Sequence, residues 1–262
     1  MGIYFRYLTP GSPPFDPIAL ARETERRACK GLKRKYTSFY ATGVYGGIAT
    51  GYTVGCCLRC YYCWVNRSRE YPEKFGTYFS PEEVVDKLVT TAKERGVKKA
   101  RISGSEPTIC KPHILGILEG IQSTELDLFI LETNGILFGN DEDYVKKLKD
   151  LEGIHIRVCI KAGNPEGFQS RTGAMGQFYE LPFRGVEYLH RHGISFHVAA
   201  MTDPRIMLSE ERKRIIMKLA EIDPEIAYNL EEEIIDPYDN TMIRLEKAGV
   251  DLDWDVYRRM RG

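Results

Sequence analysis

From Tyr45 onward the chain alternates between two patterns of apolar and polar positions. Apolar, β-branched runs occur at Tyr45–Thr53, Lys99–Ser103, Leu126–Glu132, Ile154–Lys161, Ile194–Met201 and Ile226–Ile235. Between them lie amphipathic stretches with helical spacing. In "SPEEVVDKLVTTAKERG", Ser80 stands at the N-cap, Pro81 at the first helical position, Glu83 closes a capping box and Gly96 stops the helix. "DEDYVKKLKDL", "FYELPFRGVEYLHRHG", "SEERKRIIMKLAEI" and "DNTMIRLEKAG" follow the same style. Six strands alternating with helices predict an α/β fold with a parallel sheet and helices outside. Six such units in series suit a partial (β/α)6 barrel; a flat doubly wound sheet uses the same elements.

A second pattern within the strands favours the barrel. Buried parallel strands are usually apolar on both faces, yet these alternate. Ile156, Val158 and Ile160 oppose Arg157, Cys159 and Lys161, and Ala100 and Ile102 oppose Arg101 and Ser103. Phe196, Val198 and Ala200 oppose His197 and Met201, while Tyr228 and Leu230 oppose Asn229 and Glu231. With the apolar set against the helices, the lumen is lined by Arg, Lys, His, Asn and Glu. Closed eight-stranded barrels fill this space with branched apolar side chains, so a polar lumen implies a cavity for a polar ligand. Exposure of these strands at an edge is the other explanation of the pattern.

Residues 1–44 stand apart as an N-terminal helical extension of the 45–262 domain. They begin with "TPGSPPFDP" and continue in a helix-like stretch from about Asp16 to Lys35. Arg22, Arg26, Arg27, Lys30, Lys33, Arg34 and Lys35 face only Glu23 and Glu25 there, which suits a solvated helix or a surface for a polyanion such as RNA. Over the whole chain, 37 Lys plus Arg balance 37 Asp plus Glu, so no global field draws it to nucleic acid or anionic lipid. The N-terminus lacks the apolar core of a signal peptide, and no apolar run is long enough to span a bilayer. A cytoplasmic, reducing location is expected, with no membrane partner. There, clustered cysteines bind metal or do redox work more often than they form disulfides.

Four of the seven cysteines lie in "TVGCCLRCYYCWVN", residues 53–66. The informative spacing is Cys56-x3-Cys60-x2-Cys63, in a loop after the first strand, at the carboxyl end where parallel α/β folds build their sites. Three thiolates from one loop suit a cubane iron–sulfur cluster. A closed zinc site wants four ligands, usually as two pairs, and no second pair follows. Cys29, Cys57, Cys110 and Cys159 are expected as small buried hydrophobes. Cys159 shares its face with Arg157 and Lys161, which would lower its pKa and suit a redox or radical-relay role.

With Tyr62 before its last cysteine, this motif resembles the signature of the radical S-adenosylmethionine (radical SAM) superfamily. "ISGSEPT" (Ile102–Thr108) is similar to its Gly-Gly-Glu motif, with Ser105 where a second glycine usually stands. "ETNG" (Glu132–Gly135) and "IKAGNPEGFQSRTG" (Ile160–Gly173) resemble segments of activating enzymes for glycyl-radical proteins. The resemblance implies one [4Fe–4S] cluster on Cys56, Cys60 and Cys63, and reductive cleavage of SAM to a 5′-deoxyadenosyl radical that abstracts hydrogen from a substrate. Glu106, with main chain from Gly104 and Ser105, would accept from the SAM ammonium. Glu132, Thr133 and Asn134 would reach its methionine or ribose portion, and Lys161 its carboxylate. His197 would contact ribose or adenine, while Tyr62 and Trp64 would shield the cluster and stack on adenine. Lys161 and Cys159 are the candidate catalytic residues. A ferredoxin or flavodoxin of low potential is the implied electron donor. The substrate stays open between a glycine of a partner protein, a small molecule and RNA, and the competing class is a noncatalytic zinc module.

Overall fold

The apolar runs read from the sequence become strands whose non-polar faces need cover, and the amphipathic stretches supply it. In chain order, the described residues (4–261 of this computed structural model) begin with helix α1 (Pro17–Ala28) and strands β1 (Cys29–Lys30), β2 (Lys33–Thr42), β3 (Ile48–Thr53) and β4 (Thr77–Phe79). There follow α2 (Pro81–Arg95), β5 (Lys99–Gly104), α3 (Lys111–Ile121), β6 (Leu128–Thr133), α4 (Ile136–Asn140) and α5 (Glu142–Lys146). Next come β7 (Ile154–Ile160), α6 (Pro165–Thr172), α7 (Leu181–Arg191), β8 (Phe196–Met201) and α8 (Ser209–Ile222). The last are α9 (Pro224–Tyr228), β9 (Glu231–Glu233), α10 (Asp239–Ala248) and α11 (Trp254–Arg261).

One nine-stranded sheet results, in the order β1-β2-β3-β5-β6-β7-β8-β9, with β4 paired to β2. From β3 to β9 every pairing is parallel, which makes the open six-unit barrel the alternation called for. Helix α2 starts at its capping box and stops at Gly96, in the left-handed conformation at φ +64°. It buries Val84, Val85, Leu88 and Ala92, and α3, α7 and α8 bury Ile114 and Ile117, Val186 and Leu189, and Ile215 and Leu219 in the same way. At the α4–α7 crossing a Cβ on Gly139 would lie 1.8 Å from the carbonyl oxygen of Leu181, so only glycine allows that approach.

Three expectations are corrected. The helix of the extension ends at Ala28 rather than Lys35. Residues 33–42, rich in aromatic and β-branched side chains, instead form β2, antiparallel to β3 in the same sheet. The basic run therefore splits. Arg34 is fully buried and donates to the carbonyls of Glu106 (2.6 Å), Pro107 and Ile109, while Lys35 donates to those of Pro72 and Glu73 at 2.9 Å. The sixth strand shrinks to Glu231–Glu233, because Asp223 caps a helix begun by Pro224 (its side chain accepts from the Glu225 N–H). Cys29 and Cys110, expected as separate thiols, form a disulfide with Cα atoms 6.6 Å apart, since the end of α1 abuts the start of α3. No helix among the described residues is long and apolar enough to cross a membrane.

Candidate active site at the carboxyl end of the sheet

The loop carrying Cys56, Cys60 and Cys63 leaves the carboxyl end of β3 and is held on several sides. Arg59 N–H and Tyr61 N–H donate to the carbonyls of Thr172 (2.9 Å) and Arg171 (3.2 Å), within the Thr-Gly segment singled out by its motif. The buried Arg59 guanidinium ties the loop to the N-terminal segment, donating to Phe5 O at 2.6 Å and to Cys56 O and Leu58 O at 2.8 Å. Arg69 donates to Cys60 O at 2.7 Å, and Arg244, on α10, to Cys63 O at 2.6 Å. Both arginines pair with the buried carboxylate of Glu70, at 2.5 and 2.8 Å. One buried carboxylate thus serves two guanidiniums, one negative charge against two positive, and holds both against the loop's outer wall.

All three thiols line one cavity of about 810 Å³, within the span of ordinary ligand pockets. They border a common space rather than meet at a point. Among the described residues no three Cys, His, Asp or Glu groups crowd to distances suited to a single ion. A hydrogen bond with Cys57 lowers the Cys56 thiol to about 7, whereas burial pushes Cys60 up to about 11. Cys57 is buried, outside the cavity lining, and receives Asn134 Nδ2–H at 3.3 Å.

At the ends of β5 and β6 the predicted turn residues lie together. Gly104 adopts φ +95°, and a Cβ there would stand 3.2 Å from both N and O of Thr53, so the turn needs glycine on two counts. Ser105 follows without forcing the turn open: its N–H reaches Thr53 O at 3.4 Å and its hydroxyl has no partner. Glu106 is buried and its carboxylate takes four donors. These are Thr108 N–H (3.1 Å), Thr108 Oγ1 (2.6 Å), Thr133 Oγ1 (2.6 Å) and Asn134 N–H (2.9 Å). Three of these donors fall on Oε1 and one on Oε2, so the second oxygen of this cavity-lining residue keeps acceptor capacity for an ammonium. What the turn offers a ligand is main chain and the second oxygen of Glu106.

The polar faces of the strands do turn inward, and their charges answer one another. Arg101 Nη1 donates to Glu132 at 2.6 Å, and Tyr45 OH (3.1 Å) and Ser103 Oγ complete that carboxylate's partners. Arg157 donates to Glu231 at 2.9 Å and to Glu233 at 2.7 Å. Lys161 Nζ lies 2.6 Å from the Cys159 sulfur, whose S–H donates to Glu233 at 2.9 Å. Burial, reinforced by Glu233, pushes Cys159 up to about 12. The lowered pKa expected from its cationic neighbours is corrected, because Arg157 is committed to carboxylates and the site keeps a thiol. Tyr62 is buried and lines the cavity with its hydroxyl unpartnered; Trp64 is 46% exposed at its rim, edge-on to Tyr52.

Two expected lumen residues lie elsewhere. His197, at the amino end of β8, pairs with His155 at 2.7 Å and Glu231 at 3.1 Å and is absent from the cavity lining. Asn229 ends α9, exposed, its side chain donating to Glu225 O. Sequence reasoning missed Tyr45, Arg69 and Thr241, which line the cavity, and Arg244 behind it. The Arg69-Glu70 neighbours were the one available signal, and adjacency alone does not reveal burial.

A family model for the radical SAM superfamily matches residues 51–216, and so spans the cysteine loop, the 104–106 turn, Asn134 and Lys161. The chain belongs to the radical SAM superfamily. Its cofactors are accordingly a [4Fe–4S] cluster and S-adenosylmethionine. The donor set fits: three thiols around a shared space suit a body several ångströms across, whereas zinc needs its ligands about 2.3 Å from one centre. Among curated relatives, a probable GTP 3′,8-cyclase of Methanococcus maripaludis is 33% identical over 135 residues, which are 52% of this chain and 42% of that one. A GTP 3′,8-cyclase of Brucella ovis is 30% identical over 151 residues, 56% and 41% of the two chains. The radical SAM chain thus spans about two fifths of the curated relatives it matches. In structure it resembles Streptococcus suis SuiB bound to precursor peptide SuiA (TM-score 0.57, 16% identity, 82% of this chain and 44% of that one). It also resembles TYW1 with a lysine-pyruvate adduct bound (0.55, 16%, 88% and 82%). At such identities the likeness speaks of fold alone. The resemblance to activating enzymes holds at the level of the superfamily.

Proposed function

We propose that this radical SAM enzyme removes a hydrogen atom from a small polar molecule, neutral or cationic, held in the lumen beneath the cysteine loop. The observation that carries the reading is a single cavity where three thiols face charges already matched to one another. Arg101 answers Glu132, Arg157 and Lys161 together answer Glu231 and Glu233, and Arg69 shares Glu70 with Arg244. A triphosphate placed here would have to displace carboxylates from their partners, which is costly in a buried site. Beside these ion pairs the cavity is walled by neutral Thr42, Tyr52, Tyr62, Trp64 and Thr241, which suit a ligand without net negative charge.

In this reading Cys56, Cys60 and Cys63 hold the cluster. The main chain of Gly104 and Ser105, with Asn134, borders S-adenosylmethionine, and Tyr62 and Trp64 wall it from water. When bound, the two cofactors supply one-electron, hydrogen-abstracting chemistry. Cys159 keeps its proton beside the substrate space, and Lys161 and Glu233 fix the direction of its S–H. A polypeptide glycine is the second reading, favoured by Trp64 and Tyr238, which line the cavity yet are 46% and 55% exposed. The RNA reading is weakened, because the basic run splits: Arg34 and Lys35 are buried and Arg26 and Arg27 pair with Glu23, while Arg22, Lys30 and Lys33 stay exposed.

Anaerobic reconstitution should give a brown protein with about four irons per chain, forming 5′-deoxyadenosine from S-adenosylmethionine and dithionite. Cys60→Ala should do neither. Colourless wild-type protein with stoichiometric zinc would replace the reading with a noncatalytic module. A low-molecular-mass cell fraction should stimulate 5′-deoxyadenosine release; stimulation confined to the polypeptide fraction favours the glycine reading.

A further inference from the structure

On the outer side of the cysteine loop, the N-terminal segment, the 67–74 turn and α10 meet in an exposed patch that the lumen chemistry does not use. Tyr7 and Tyr71 pack edge to face with ring centres 6.4 Å apart. Three cations cover them: Arg6 lies 4.4 Å and Lys74 5.4 Å from the centre of Tyr71, and Lys247 lies 4.9 Å from that of Tyr7. Arg67 adds another exposed cation in the same turn. The opposing charge is Glu73, itself paired with Arg6 at 3.0 Å; Glu246 adjoins Lys247 on α10 but projects about 100° round the helix.

The patch backs directly onto the thiol loop. Arg6 donates to the main-chain carbonyl of Glu70 at 2.6 Å, and the Glu70 carboxylate binds Arg69 and Arg244. Those two guanidiniums donate to the carbonyls of Cys60 and Cys63. Two hydrogen-bonded layers therefore separate half-buried tyrosines, overlaid by exposed cations, from two of the three thiols. The opposite side of the loop faces the lumen, where a protein partner would compete with the substrate for the mouth.

We infer that this face docks the one-electron donor, an acidic protein carrying a low-potential centre, so that electrons enter from behind the loop while the lumen stays free. The inference rests on the proposed cluster at Cys56, Cys60 and Cys63. Cations over tyrosine rings suit a carboxylate-bearing partner in two ways. They steer its approach through their summed field, and the flat rings fill the contact without ordering long side chains. RNA would also be attracted to such a patch. The electron carrier is favoured because the patch lies over the thiols and because the Arg6–Glu73 pair leaves a mixed surface, better matched to another protein than to a continuous phosphate chain.

The test uses reconstituted full-length enzyme and the variant Arg67→Glu/Lys74→Glu/Lys247→Glu, whose exposed side chains take no part in holding the loop. Cluster reduction is followed by loss of visible absorbance and by the spin-resonance signal, with either reduced flavodoxin or dithionite as donor. The expected result is a fall of roughly tenfold or more in the flavodoxin-driven rate, with the dithionite-driven rate and melting temperature unchanged. Wild-type reduction by flavodoxin should slow with added salt, and the variant should lose that dependence. Equal flavodoxin rates in wild type and variant overturn the inference. So does a variant that keeps its flavodoxin rate while losing affinity for a random-sequence RNA. If the triple reversal does not fold, the same positions changed to Gln give a smaller loss with the same sign. Failure of dithionite to reduce wild-type protein tells instead against the cluster reading itself.

Discussion

Replacing Arg34 with Met is a stringent test of how the site's second turn is held. The guanidinium is fully buried and pairs with no carboxylate; it donates to the carbonyls of Glu106, Pro107 and Ile109, with Val54 O at 3.4 Å. Met fills similar volume and donates nothing, so the carbonyls of Pro107 and Ile109 lose their donor, while Glu106 O keeps the Ile109 N–H at 3.4 Å. Each orphaned acceptor costs about 1–3 kcal/mol, a gross loss of roughly 2–6 kcal/mol for the two. Burial lowers the Arg34 pKa, which shows that keeping this charge inside has its own cost, and Met removes it. The net loss expected is therefore about 2 kcal/mol, a sizeable share of ordinary domain stability. Urea unfolding of the cluster-free protein, followed by tryptophan fluorescence at fixed thiol redox state, measures it. Arg34→Lys should recover part of the loss, because one ammonium reaches fewer carbonyls. A change below about 1 kcal/mol for Arg34→Met would refute the reasoning, since water would then be reaching and satisfying carbonyls that the fold otherwise seals.

Gly104→Ala should lower the melting temperature and weaken S-adenosylmethionine binding, because the left-handed backbone alone costs about 1–3 kcal/mol for a side-chain-bearing residue; unchanged affinity would argue against close main-chain approach at this turn. His113 is 1% exposed, with Nδ1–H donating to Leu32 O at 2.7 Å and Nε2 accepting from Tyr36 OH at 2.9 Å, and burial lowers its pKa from 6.5 to about 4. The unfolded chain therefore binds the extra proton. Stability should be complete above pH 6.5 and decline by about 3 kcal/mol as pH falls to 4, a slope that His113→Gln should flatten in acid titrations of unfolding. Finally, thiol counting on denatured, unreduced, cluster-free protein should find five reactive cysteines, with Cys29 and Cys110 appearing after reduction; seven from the outset would remove the disulfide.

The five strands from β3 to β8 that form the barrel's body were legible because β-branched residues alternate there and the capping signals between them are strong. The cysteine loop was legible because its spacing is local. The run from Lys33 to Thr42 misled because its charges suggested a solvated helix. Burial of Arg34 depends on carbonyls some 70 positions downstream, which no local pattern reports. At Ile226–Leu230 apolar content outweighed the Asp223-Pro224 start signal. Glu106 shows the limit for site residues: its position followed from the motif, but the donors that hold its carboxylate come from Thr108, Thr133 and Asn134, across two strand ends. His197 shows the same limit along a strand. Its face was right and its depth was not, since alternation fixes which side a residue takes and says nothing of how far it lies from the open end.

The pairing of Glu70 with Arg244 joins positions 174 apart in sequence, and the second of them falls outside the span shared with the family model. The redox centre's collar is thus buttressed by a helix from beyond that span. Drift in that tail, or its removal, should be felt first as poor iron retention, before any change in the barrel, so two proteins with identical cysteine motifs can differ in oxygen tolerance through helices far downstream.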